Sequence, residues 1–161
     1  MKTLILGVGN ILQKDEGIGV RAVEILKDRF DFGDDVSIID GGTMGLDLLP
    51  FIEGNDRILI VDAVNTGEKP GSIVRIGGDE VPRFLSTKLS VHQIGLPDML
   101  SAAVMMGILP KEVCLIGIQP ENIETGISLS GSVERRMDDI IVAVLEKLDE
   151  WGVRSELKKV F

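Results

Sequence analysis

The chain has 161 residues, enough for one domain around one hydrophobic core. Hydrophobic residues make up 44% and charged residues 27%, the balance of a folded, soluble protein without low-complexity stretches. A formal net charge of -9 argues against a nucleic-acid backbone or an anionic membrane as partner, because both are gripped mainly by Lys and Arg.

Cys114 is the single cysteine, so no internal disulfide forms, and a reduced cytoplasmic protein is expected. The apolar start from Met1 to Leu6 resembles a signal peptide. It is cut short by Gly7, Gly9 and Asn10, and the polar stretch Gln13-Lys14-Asp15-Glu16 follows. No apolar run approaches the ~20 residues of a membrane span.

In chain order, residues 3–8 form a continuous apolar run that suits a strand buried on both faces. Residues 17–30 read as a helix with Ile18, Ala22, Ile25 and Leu26 on one face. A second strand over residues 36–39 closes on Asp40-Gly41-Gly42-Thr43, and a short helix is expected over residues 44–52. A third buried strand over residues 57–61 ends at Asp62. The turn 66–71 then leads into a strand over 72–76, too close in sequence for a helical crossover and therefore antiparallel, at an edge. A helix over residues 93–106 stops at Gly107, and a strand covers residues 112–118. A strong stripe from Val133 to Leu148 predicts one long helix, with Ser130 or Ser132 as N-cap. The domain is expected to span residues 1–153, with 154–161 a frayed tail. Alternating strands and helices predict an α/β fold with a mostly parallel sheet covered on both faces.

In such sheets, sites form at the carboxyl ends of the strands. Three loops there carry acids: Asp15 and Glu16 after the first strand, Asp40 after the second and Asp62 after the third. Acids converging on one rim repel each other, which favours a cation, a shared proton or wide separation. His92 is the only histidine and stands just before a helix start, where it would meet Glu16 and Asp62. One imidazole and two carboxylates leave coordination positions open and suit Zn, Ni or non-haem Fe. The bland alternative is a surface or hydrogen-bonded structural histidine, and the spacing alone does not decide between them.

Other chemistries fit less well. The run Gly7-Val8-Gly9-Asn10-Ile11-Leu12 lacks the third glycine of a dinucleotide fingerprint, and Asp40 lies too far along for the ribose acid. Cys114 sits in an apolar strand and reads as a buried small residue. Ser90 lies near His92, but no G-x-S-x-G elbow exists. Gly41-Gly42 reads as backbone geometry, or as a place where a substrate backbone passes.

Six segments then occur in a telling order: Gly7-Val8-Gly9-Asn10-Ile11-Leu12, Asp15-Glu16-Gly17-Ile18-Gly19-Val20-Arg21, Asp40-Gly41-Gly42-Thr43, Asp62-Ala63, His92-Gln93-Ile94-Gly95-Leu96 and Gly117-Ile118-Gln119-Pro120-Glu121. Together they resemble the maturation endopeptidases of nickel-iron hydrogenases, near the type serving uptake hydrogenases, over residues 2–148. The resemblance implies a three-layer α/β/α sandwich with a five-stranded, mostly parallel sheet and one antiparallel strand. It implies an endopeptidase of aspartyl type that removes a C-terminal extension from the hydrogenase large-subunit precursor after nickel insertion. It implies metal contacts at Glu16, Asp62 and His92 and a functional role for Asp40. The nickel would arrive with the precursor, with Zn or Cd able to replace it in vitro. A cytoplasmic monomer, bound to neither nucleic acid nor membrane, is expected. Two other readings remain: a metal-binding chaperone without proteolytic activity, and a nucleotide-binding α/β protein.

Overall fold

Runs of Leu, Ile and Val build β1 (Thr3–Val8), β4 (Arg57–Ala63) and β6 (Glu112–Ile118), whose residues are mostly buried on both faces. Such strands belong in the middle of a parallel sheet. In the computed structural model, which describes residues 1–81 and 96–159, they do so. The strand order is β3-β1-β4-β6-β5, with β3 (Val36–Gly42) and β5 (Ile73–Gly77) at the edges. All pairs in this five-stranded sheet are parallel except β5 with β6, as the short link from β4 requires.

Alternation sends successive side chains to opposite faces. Ile5, Leu59, Val61 and Ile116 pack under α1 (Ile18–Arg29) and the long C-terminal helix, here α5 (Met137–Glu150). Leu4, Leu6, Ile58, Ile60 and Leu115 pack on the other face. That face is covered by Leu48 of a short 3-10 turn, Ile52 of α2 (Leu49–Ile52), and Met99 and Leu100 of α3 (Leu96–Met105). The result is the expected three-layer α/β/α sandwich. No helix among the described residues is long and apolar enough to cross a membrane.

The first helix does not begin as its apolar stripe predicts. Residues Lys14–Gly17 form a 3-10 turn, and only then does α1 start. A Cβ at Gly19 would overlap the Val61 carbonyl oxygen and stand 2.6 Å from that of Val8. The first turn of α1 thus sits directly on the carboxyl ends of β1 and β4, with no side chain between.

Two expectations change at the C-terminal end. The predicted single helix is broken: α4 (Gly131–Glu134) precedes α5, and Ser130 at the N-cap makes no side-chain cap hydrogen bond. The predicted frayed tail is instead partly tied down. Here β7 (Glu156–Leu157) pairs antiparallel with β2 (Phe30–Asp31), and the Lys158 N–H donates to the Arg29 carbonyl at 2.8 Å. Of the helix expected over 93–106, residues 93–95 lie outside the described residues.

The substitution Gly19→Ala is expected to lower unfolding stability by about 1–3 kcal/mol, the range for forcing added volume into a packed site. Urea denaturation checks it, and a variant as stable as the parent would contradict the close packing of α1 on β1 and β4.

Candidate active site

After β1 the chain turns sharply. Gly9 adopts φ +130°, and a Cβ there would overlap the Glu16 carbonyl oxygen. Asn10 Oδ1 accepts from the Leu12 N–H at 2.9 Å, and the Glu16 N–H donates to the Gln13 carbonyl at 3.1 Å. These contacts wind the loop into the 3-10 turn that carries Asp15 and Glu16. The turn packs against β4, which carries Asp62 at its carboxyl end.

All three acids are buried: Asp15 is 0% exposed, Glu16 3% and Asp62 7%. Carboxylates rarely lose water this fully unless something compensates. For Asp15 the compensation is visible. Its Oδ2 accepts from the backbone N–H groups of Glu121 at 2.9 Å and Asn122 at 3.0 Å, and its Oδ1 from that of Ser130 at 2.7 Å.

Asp62 is different. Its Oδ1 is buried and accepts no hydrogen bond among the described residues. Burial raises its carboxyl well above the usual carboxylate range; a hydrogen bond from the Ala63 N–H opposes this, and the charge of Glu16 adds to it. Glu16 and Asp62 therefore lie within each other's electrostatic field. By strand alternation Asp62 belongs to the face of Ile58 and Ile60, the one covered by α3. Two buried carboxylates offering hard oxygen donors fit a divalent cation, whose charge would offset both their repulsion and their desolvation. Among the described residues no group of three His, Cys, Asp or Glu side chains converges on a metal position. The third expected ligand, His92, lies outside the described residues, as does Ser90.

Asp40 is exposed, and its Oδ1 accepts from the Gly42 N–H at 2.9 Å, folding the side chain back over its own loop. Gly42 takes φ +45°, and its carbonyl accepts from the Gly9 N–H at 2.9 Å. The Asp40 loop is thus joined to the loop that leads to Glu16. In register, Gly7 stands opposite both Asp40 and Val61, which puts the Asp40 backbone roughly 10 Å from the end of β4.

Cys114 is buried within β6, and burial pushes its thiol up, which disfavours a nucleophilic thiolate. A cleft of about 300 Å³ lined by Met1, Val36, Arg57 and Trp151 opens at the amino ends of the strands, away from the acids.

The pattern of the hydrogenase maturation proteases matches residues 20–147. The chain belongs to the hydrogenase maturation protease family. It is therefore a peptidase. It is 43% identical to the hydrogenase 2 maturation protease of Escherichia coli strain K12, over 96% of this chain and 95% of that protein. It is 44% identical to the hydrogenase expression/formation protein HoxM of Azotobacter vinelandii, over 93% of this chain and 73% of that one. Among solved structures, the hydrogenase maturating endopeptidase HybD from E. coli superposes with a TM-score of 0.93 at 42% identity, covering 98% of both chains.

In this protease, sequence reading foresaw the acids on the rim but gave Asp15 no role separate from Glu16. The available signal was the segment Gln119-Pro120-Glu121, whose backbone reaches Asp15. Gln119 itself ties two rim loops together, its Oε1 accepting from the Thr66 N–H at 2.6 Å and hydroxyl at 3.0 Å.

The raised carboxyl of Asp62 has a consequence for stability. Its charged form is disfavoured in the folded state, so the penalty is full above the folded value and fades as pH falls through it. In metal-free buffer, Asp62→Asn is expected to raise Tm at neutral and alkaline pH, by about 2–4 °C for each kcal/mol relieved. The gain should shrink on acidification. Calorimetry across pH checks this, and a Tm lowered at every pH would contradict it.

Proposed function

We propose that this protease removes a C-terminal extension from the large-subunit precursor of a nickel-iron hydrogenase once nickel has been inserted. Glu16, Asp62 and His92 approach that nickel, which arrives as part of the substrate. The observation that carries this reading is the buried pair Glu16 and Asp62, with Asp62 Oδ1 accepting no hydrogen bond among the described residues. A site built of repelling acids gains affinity when a bound cation enters it, so it discriminates loaded from unloaded precursor. The names of the relatives support a maturation substrate, since the similar E. coli protein is a hydrogenase 2 maturation protease. The chaperone reading is not favoured, because the similar solved structure is that of an endopeptidase.

Within this reading Asp40 serves the cleavage step of an aspartyl-type endopeptidase, orienting or activating water or shaping the loop along which the peptide lies. The same reading takes the enzyme to be a cytoplasmic monomer.

Incubation with nickel-loaded and nickel-free precursor, followed by mass spectrometry, tests the proposal. Loss of C-terminal mass is expected only with nickel. Glu16→Gln, Asp62→Asn and His92→Ala should each abolish processing while leaving circular dichroism unchanged. Full processing by His92→Ala would remove the metal-reading role, and Asp40→Asn probes the cleavage step. Zn or Cd should bind as surrogates, and their affinity should fall at about pH 4.5, where carboxylates and imidazole take up protons. Equal affinity there and at neutral pH would contradict ligation by these side chains.

A further inference from the structure

Asp15 neighbours Glu16 in the chain, yet its carboxylate serves a different partner. It is fully buried and spans both ends of the loop 119–130: Glu121 and Asn122 donate to one oxygen, Ser130 to the other. Backbone contacts reinforce the same join. The Asp15 N–H donates to the Asn122 carbonyl at 3.1 Å, the Lys14 N–H to that of Gly126 at 3.0 Å, and the Gly126 N–H to that of Leu12 at 2.8 Å. Arg21 donates to the Ile127 carbonyl at 2.8 Å from the first turns of α1. The 3-10 turn is therefore held from outside by this loop, while from inside it rests on Gly9.

We propose that Asp15 is a positioning residue for the reaction, clamping the loop 119–130 onto the 3-10 turn so that Glu16 is held facing Asp62. The proposal rests on the reading that Glu16 and Asp62 meet the metal. A charged acceptor makes a good clamp, because hydrogen bonds to an ionised oxygen are short and strong, and backbone N–H groups fix direction as well as distance. The amides also balance the Asp15 charge, so that it remains buried beside two other acids. Outer-shell groups of this kind orient the side chains that touch a metal, and their loss commonly weakens metal binding about 10–100-fold.

Asp15→Asn keeps the size but turns one oxygen into an NH2 group, which must then face an N–H donor on one side of the clamp. Ser130→Pro removes one donor from the other side, at a residue whose φ of -63° suits proline. Cadmium titration by calorimetry, on the parent, Asp62→Asn, Asp15→Asn and Ser130→Pro, tests the idea at a temperature where each is folded. The parent is expected to bind Cd2+ and Asp62→Asn to lose it. Asp15→Asn should bind about 10–100-fold more weakly, and Ser130→Pro should shift in the same direction. In processing assays Asp15→Asn should raise KM for nickel-loaded precursor while leaving the affinity for nickel-free precursor unchanged. Parent-like Cd2+ affinity in Asp15→Asn, or in Ser130→Pro if the first variant fails to fold, overturns the positioning role alone. Failure of the parent to bind Cd2+ overturns the metal reading and this proposal with it.

Discussion

Two carboxylates held in each other's field, with little water to screen them, are the condition on which the rest of this structure turns. Left alone, Glu16 and Asp62 would separate or one would take up a proton; burial and mutual repulsion both raise the Asp62 carboxyl. The scaffold prevents separation. Asp62 is fixed by a strand flanked on both sides, by β1 and β6. Glu16 is fixed by a turn packed against β4 and closed by the loop from 119 to 130. Repulsion of this kind costs stability, which is then supplied elsewhere.

The supply is visible in the packing. The apolar clusters on the two faces of the sheet include fully buried Leu, Ile and Val side chains from every central strand. Gly19 lets α1 descend onto the strand ends, so the first turn of the helix is anchored by backbone contact rather than by adjustable side chains. Rigid placement of this kind keeps Glu16 and Asp62 together against their repulsion.

The sheet was legible in the sequence because buried parallel strands are written as unbroken apolar runs. The antiparallel edge at β5 followed from the shortness of its connection. The acids were legible as strand-terminal residues, and the family likeness joined them. The break at Arg135 and Arg136 was not legible, because Val133, Met137, Ile140, Ile141 and Val144 keep helical spacing across it; an apolar stripe does not record which backbone hydrogen bonds are made. Ser130 looked like a capping side chain, whereas its contribution is the backbone N–H given to Asp15. The pairing of Glu156–Leu157 was hidden because so short and polar a strand has no periodicity to detect. Asp15 and Glu16 are chemically alike and adjacent, and only the turn that points them to different partners separates their roles.

The small ribbon of β2 and β7 has a bearing on how the molecule comes apart. It joins residues 30–31 to 156–157, and Glu156 and Leu157 are exposed. Of its four residues only Phe30 is even partly buried, so little apolar surface holds it closed. It is therefore a seam that opens well before the sheet does, at local rather than global cost. Because α1 runs from the acidic rim to this ribbon, the seam lies at the far end of the helix from Glu16. Breathing there leaves the acidic rim in order, so among the described residues a weakly held joint lies at a distance from the buried acids.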